Sequence, residues 1–204
     1  MDTKLELLKS RLNKIREKIS SSSFLSNDGI GNEIGFYIFD YSPQYEVTVR
    51  EHLEILVAGL NSDSSDSHYL HINLFQLVTD YLKHRGLLDQ VLELERSSGA
   101  EELLTAFDDI LSAEAICQFL VQSFNVQTAK ALLVSGIGSC WPFVRAHTIL
   151  NNLQNYVGRT PVILFYPGQY TGQDLKPFGL PNLKANYYRA FPLIESLIDE
   201  RIVL

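Results

Sequence analysis

The chain has 204 residues, 46% of them hydrophobic and 20% charged. That composition suits one globular domain with a sizeable core and excludes disordered, collagen-like and disulfide-scaffold chains. A net charge of −7 and a pI near 5.2 oppose non-specific attraction to nucleic acid or anionic lipid, while two cysteines without metal-ligand spacing fit a reducing, cytoplasmic setting. No apolar run approaches the ~20 residues that span a bilayer, and the first residues lack the apolar region of a secretory signal.

Residues 4–19 carry Leu5, Leu8, Leu12, Ile15 and Ile19 at three- and four-residue intervals, which predicts an amphipathic helix within an N-terminal arm over 1–23. Lys9, Arg11 and Arg16 are read as lying off this stripe. Six Lys/Arg stand against three Asp/Glu over residues 1–19, whereas residues 86–116 hold one against eight. The stripe would pack on the protein's own core or dock a partner, and its basic face would meet an acidic partner surface or the chain's own acidic helices.

Next, Gly35-Phe36-Tyr37-Ile38-Phe39-Asp40 predicts a buried strand closed by Asp40-Tyr41-Ser42-Pro43. A helix over 44–60, a solvated loop over 62–67 and a second strand over 69–74 follow, then helical periodicity through Phe75, Val78, Tyr81 and Leu82. Residues 87–124 read as helices broken near 97–99, a helical insertion over 86–126. A third strand is expected over 130–134, a helix over 142–156, a fourth strand over 161–166, a last strand over 188–193 and a terminal helix over 194–202. Apolar strands alternating with helices predict an α/β fold with a mostly parallel central sheet and helices on both faces.

Ligands of such sheets bind beyond the carboxyl ends of the strands, so the turns there matter most. Three stand out: the one at Asp40, residues 135–140 with Ser135, Gly136 and Gly138, and residues 167–173 with Gly168, Gln169 and Tyr170. At 135–140 a strand runs into glycines and then a helix with Pro142 in its first turn, a geometry that can cradle an anion. No Lys follows these glycines and Trp141 stands where a dinucleotide fingerprint has its third glycine, so both phosphate motifs fail and a tight turn is the simpler reading. Nucleotide or nucleic-acid binding at this turn remains the alternative.

On the next helix, Arg145, His147, Asn151 and Asn152 offer a polar surface, and His147 near Asn151 could serve as a general base. Neither Ser139 nor Cys140 can be assigned as its nucleophile, so no catalysis is expected. The five histidines lack ligand spacing, so neither metal nor cofactor is expected. Tyr188 and Arg189 lie in an aromatic run over 186–191 whose rings suit a packed strand, and one Arg is too little for a nucleic-acid patch.

Several of these runs occur in one order: Leu132-Leu133-Val134-Ser135-Gly136-Ile137-Gly138, Trp141-Pro142-Phe143-Val144-Arg145-Ala146-His147, Ile149-Leu150-Asn151-Asn152-Leu153-Gln154, and Pro161-Val162-Ile163-Leu164-Phe165-Tyr166-Pro167-Gly168-Gln169-Tyr170. Together with Asn186-Tyr187-Tyr188-Arg189-Ala190-Phe191 they resemble the BrxB family, and the strand ending Phe39-Asp40-Tyr41, with Pro43 and Glu46, fits the family's start. The resemblance implies membership in BREX, a multi-gene bacterial system that restricts phage using DNA methylation to mark self. It also implies an accessory component without established enzymatic activity, whose core resembles a nucleotide-binding α/β fold without a functional phosphate loop. The implied partners are other BREX proteins, foremost PglZ, which carries an alkaline-phosphatase-like domain. No catalytic residues transfer. The motif residues Asp40, Ser135, Gly136, Gly138, Arg145, His147, Asn151, Asn152, Gly168, Gln169, Tyr170, Tyr188 and Arg189 transfer as a candidate functional surface.

Overall fold

The structure, a computed structural model, describes residues 3–26, 35–62, 68–180, 186–187 and 190–195. The arm forms three helical pieces, α1 (Thr3–Asn13), α2 (Ile15–Ser20) and α3 (Ser22–Leu25). Leu8, Leu12, Ile15 and Ile19 are buried, so the stripe packs on the protein's own core, where each such side chain contributes about 1.5–3 kcal/mol. Arg11, read as solvent-facing, is instead 4% exposed. It follows Leu8 by three positions and precedes Ile15 by four, which puts it on the apolar face.

Strand β1 (Phe36–Tyr41) leads through a short 3-10 turn into α4 (Glu46–Ser62) and then β2 (Tyr69–Asn73). Asn73 ends the strand and starts α5 (Leu74–His84), its side chain accepting from the Phe75 and Gln76 N–H groups at 3.1 and 3.2 Å. The acidic segment forms α6 (Leu88–Ser98), α7 (Ala100–Ile110) and α8 (Ala113–Ser123), the last capped by Ser112. Then come β3 (Ala131–Ser135), the single turn α9 (Ile137–Cys140), α10 (Ala146–Val157), β4 (Val162–Tyr170), β5 (Asp174–Pro177), β6 (Asn186–Tyr187) and β7 (Phe191–Pro192).

The sheet order is β2-β3-β4-β1-β7, and every pairing along that path is parallel. Alternate residues serve two cores. Phe36, Ile38, Leu132, Val134, Val162, Leu164 and Tyr166 pack with α5–α10, while Phe39, Tyr41, Leu133, Ile163 and Phe165 pack with α1, α2 and α4. Strands covered on both faces explain why they read as continuous apolar runs. The arm and the acidic helices thus lie on opposite faces of the sheet, which removes the expectation that the arm's basic face rests on them.

Two differences from the sequence reading bear on the site. The helix expected from Pro142 begins at Ala146, and Pro142 lies in the bend between α9 and α10. Strand β4 runs past Tyr166, so Gly168, Gln169 and Tyr170 sit in a strand that pairs antiparallel with β5 rather than in a turn. The last strand falls beside β1 as β7. Tyr188, Arg189 and most of the expected terminal helix lie outside the described residues. No helix among the described residues is long and apolar enough to cross a membrane.

Candidate functional site

Asp40, at the carboxyl end of β1, is buried at 5% exposure, and every contact it makes holds the fold together. Arg11 Nη2 lies 2.7 Å from Asp40 Oδ1, and Arg11 Nη1 donates to the Asp40 backbone carbonyl at 2.8 Å. The other carboxylate oxygen accepts from the Tyr170 N–H at 3.1 Å. Tyr170 carries the tie onward, its hydroxyl donating to the Ala190 carbonyl at 2.7 Å and accepting from the Ala190 N–H at 3.1 Å. The arm, β1, the extension of β4 and the start of β7 are therefore joined through one desolvated ion pair. Gly168 belongs to the same joint: a Cβ there would run into the Lys176 carbonyl and come within 2.7 Å of the Tyr166 ring.

The start of the glycine turn packs against the protein itself. Gly136 takes the left-handed conformation, φ 74°, which favours glycine, and a Cβ on it would lie 2.9 Å from Asn73 Cγ. The side of Gly136 on which a Cβ would stand is occupied by the side chain that caps α5. Ser135 is 3% exposed and its Oγ lies 2.8 Å from His71 Nε2. A Ser–His pair is the beginning of a nucleophilic dyad, yet no substrate can reach a serine so buried, and the pair links β3 to β2 instead. Burial lowers the His71 pKa, with Glu54 opposing that shift, so the imidazole is held neutral. Cys140 is buried and its thiol is pushed up to about 12, which leaves it inert.

The open feature at this end of the sheet is a cleft of about 180 Å³ between α9, the first turn of α10 and the β4–β5 ribbon. Trp141, Val144, Arg145, His147, Tyr166 and Phe178 line it, with Gly138 at its floor against Pro167 and Phe178. Trp141 is 40% exposed and meets Phe178 edge-on, ring centroids 5.5 Å apart. Arg145 is exposed, and among the described residues its guanidinium has no hydrogen bond or ion pair. His147 Nε2 lies 3.2 Å from Thr148 Oγ1, and its pKa is lowered first by burial and then by Arg145, which keeps it neutral near pH 7. Tyr166 is 4% exposed, burial raises its pKa so that it stays a donor, and among the described residues its hydroxyl has no partner. Donors on an apolar wall can hold an acceptor group; they form no nucleophile–base pair.

Of the expected surface residues, the cleft therefore gathers Gly138, Arg145 and His147. Asn151 is exposed on the following turn, and Asn152 folds back to donate to the Thr148 carbonyl at 2.9 Å. Asp40, Ser135, Gly136, Gly168 and Tyr170 are buried within the fold, while Gln169 sits half-buried on β4. Trp141, Tyr166 and Phe178 were missed as site residues. Trp141, the chain's one tryptophan, next to a proline at a strand-to-helix crossing, was the one readable signal.

Comparison with known proteins gives a consistent result. A family model described as BREX protein BrxB matches residues 70–193. A protein of Escherichia coli O9:H4 (strain HS), also described as BREX protein BrxB, is 38% identical over 188 residues, covering 92% of each chain. Another of that description, from Bacillus cereus (strain H3081.97), is 40% identical over 189 residues, covering 91% of this chain and 97% of its own. No solved structure matches.

Proposed function

The chain belongs to the BrxB family and so to the BREX phage-defence system, and on that premise we propose that it is a non-catalytic, cytoplasmic association partner of other BREX proteins, PglZ first among them. The observation that carries this reading is the apolar and aromatic rim at the carboxyl edge of the sheet. Phe75 after β2 is 52% exposed, Trp141 after β3 is 40% exposed, and Leu180 after the β4–β5 ribbon is 51% exposed. Large apolar groups left in water at this edge, with Trp141 on a cleft that also holds an arginine, have the composition of the energetic centre of a protein–protein contact. The alternative reading, nucleotide or nucleic acid held at residues 135–140, is weakened by a buried Ser135 and by Gly136 packed against the Asn73 side chain.

The test is co-purification of the tagged chain from cells expressing the whole BREX gene set, alongside the Trp141→Ala and Leu180→Ser variants. Wild type is expected to retain PglZ, and the rim variants are expected to lose it and to lose phage restriction while melting as wild type does. Absence of every BREX protein from the wild-type eluate removes the association reading. Turnover of a nucleotide, DNA or a phosphoester by the purified chain removes the non-catalytic part.

A further inference from the structure

We propose that the cleft between α10 and the β4–β5 ribbon is a carboxylate pocket that receives one acidic side chain of the partner protein. The inference rests on the association reading above and names the chemistry of its contact.

Three sets of donors converge on the cleft. The first is the start of α10, a helix of 12 residues whose N-cap, Arg145, makes no side-chain cap. Thr148 and Ile149 N–H groups bond the Arg145 carbonyl at 3.1 and 3.2 Å, whereas among the described residues the Ala146 and His147 N–H groups have no acceptor. Arg145, Ala146 and His147 all line the cleft, so the positive end of the helix opens into it. The second is the Arg145 guanidinium, without a counter-ion among the described residues of a chain that carries −7 overall. The third is Tyr166, more than nine-tenths buried, its hydroxyl without a partner among the described residues. The oxygen is not among the sealed, unmatched polar atoms of the core, so this hydroxyl of an otherwise buried side chain stays reachable in the cleft wall and can donate to an acceptor that enters.

Size and charge select the group. At about 180 Å³ the cleft is smaller than the roughly 300–1,000 Å³ of small-molecule sites, and has room for a side chain rather than a nucleotide. One cation with a neutral His147 matches a monoanion better than a phosphate dianion, and a carboxylate is the natural cap of an uncapped helix start. Trp141 and Phe178 would cover an apolar neighbour of the acidic residue.

The experiment has two arms on the full-length chain. In the first, amide resonances of Ala146 and His147 are followed by NMR during titration with benzoate and, separately, with inorganic phosphate and AMP. Saturable shifts with benzoate in wild type, lost in Arg145→Gln and Tyr166→Phe, are expected; no shift with benzoate, or tighter response to phosphate or AMP, overturns the inference. In the second, affinity for the co-purifying BREX protein is measured for the same variants. A loss of about ten-fold or more for Arg145→Gln and a several-fold loss for Tyr166→Phe, with unchanged melting, are expected. Wild-type affinity in both variants overturns the carboxylate pocket and leaves the association reading standing, whereas a wild-type chain that retains no BREX protein overturns both.

Discussion

Two arginines at the carboxyl edge of one sheet meet opposite fates. Arg11 is buried, bonded to Asp40 through both terminal nitrogens and stacked on the Phe39 ring at 4.6 Å. Arg145 is exposed beside a cleft and unmatched among the described residues. A desolvated charge must be paired or the fold fails, so Arg11 can serve only the structure. A solvated charge adds little to stability and stays available for a partner. Burial, rather than residue type, divides scaffold from contact surface here.

Breaking the closed side should have the largest effect. Arg11→Met strands the Asp40 carboxylate and should lower folding free energy by about 3–5 kcal/mol in urea titrations. The double variant Arg11→Met, Asp40→Leu should recover most of that loss, because no lone charge is left behind. If the double variant is no more stable than the single, Arg11 acts through its packing on Phe39.

The joint around that pair can also be stressed through the backbone. Gly168→Ala drives a methyl into the Lys176 carbonyl, and Gly136→Val forces a β-branched residue to φ 74° against Asn73. Each should cost about 1–3 kcal/mol by thermal or chemical denaturation. Equal stability of the Gly168 variant would mean that β4 and β5 separate freely.

Acidification should weaken both sides. His71, held with Ser135, and His147, in the cleft, each have a folded-state pKa below the ordinary 6.5. Between that value and the lowered ones the unfolded chain binds more protons than the folded chain, so stability is complete above about pH 6.5 and falls as pH drops through the window. His71→Gln should flatten the decline, read from melting temperatures between pH 7.5 and 5; an unchanged slope would assign it to other groups.

The open side should respond least. Arg145→Ala should change stability by no more than about 0.5 kcal/mol, as should Lys9→Ala, whose 3.1 Å pair with Glu6 is exposed. A larger loss from Arg145→Ala would make it a second structural arginine and end the contrast with Arg11.

The fold was legible wherever apolar runs were continuous, as in Ala131–Ser135 and Phe36–Tyr41, because burial on both faces leaves an unbroken hydrophobic sequence. The extension of β4 was hidden by Pro167-Gly168, which read as a turn. Pro167 is tolerated because it sits where the pairing with β1 ends, and Gly168 because no side chain fits there. The charge of Arg11 points to solvent, whereas its spacing from Leu8 and Ile15 marks the buried face. Arg145 and His147 could be proposed from sequence, but the Tyr166 hydroxyl could not, since an aromatic in a buried strand reads as core whether or not its oxygen is matched.

The strand order also has a temporal side. Strand β1 finds its main neighbour in β4, with Phe36 opposite Val162, positions 126 apart in the chain. At roughly 5–20 residues per second, a ribosome needs on the order of 6–25 s between them. Throughout that interval β1 and the arm that carries Arg11 have no sheet to join, and Asp40 has no Tyr170 to hold. The nascent amino-terminal part therefore spends its synthesis as an apolar segment with open strand edges, the state in which a chaperone is most useful and self-association most damaging. Closure comes only with β4, and it brings Asp40, the arm and the ribbon together in a single late event.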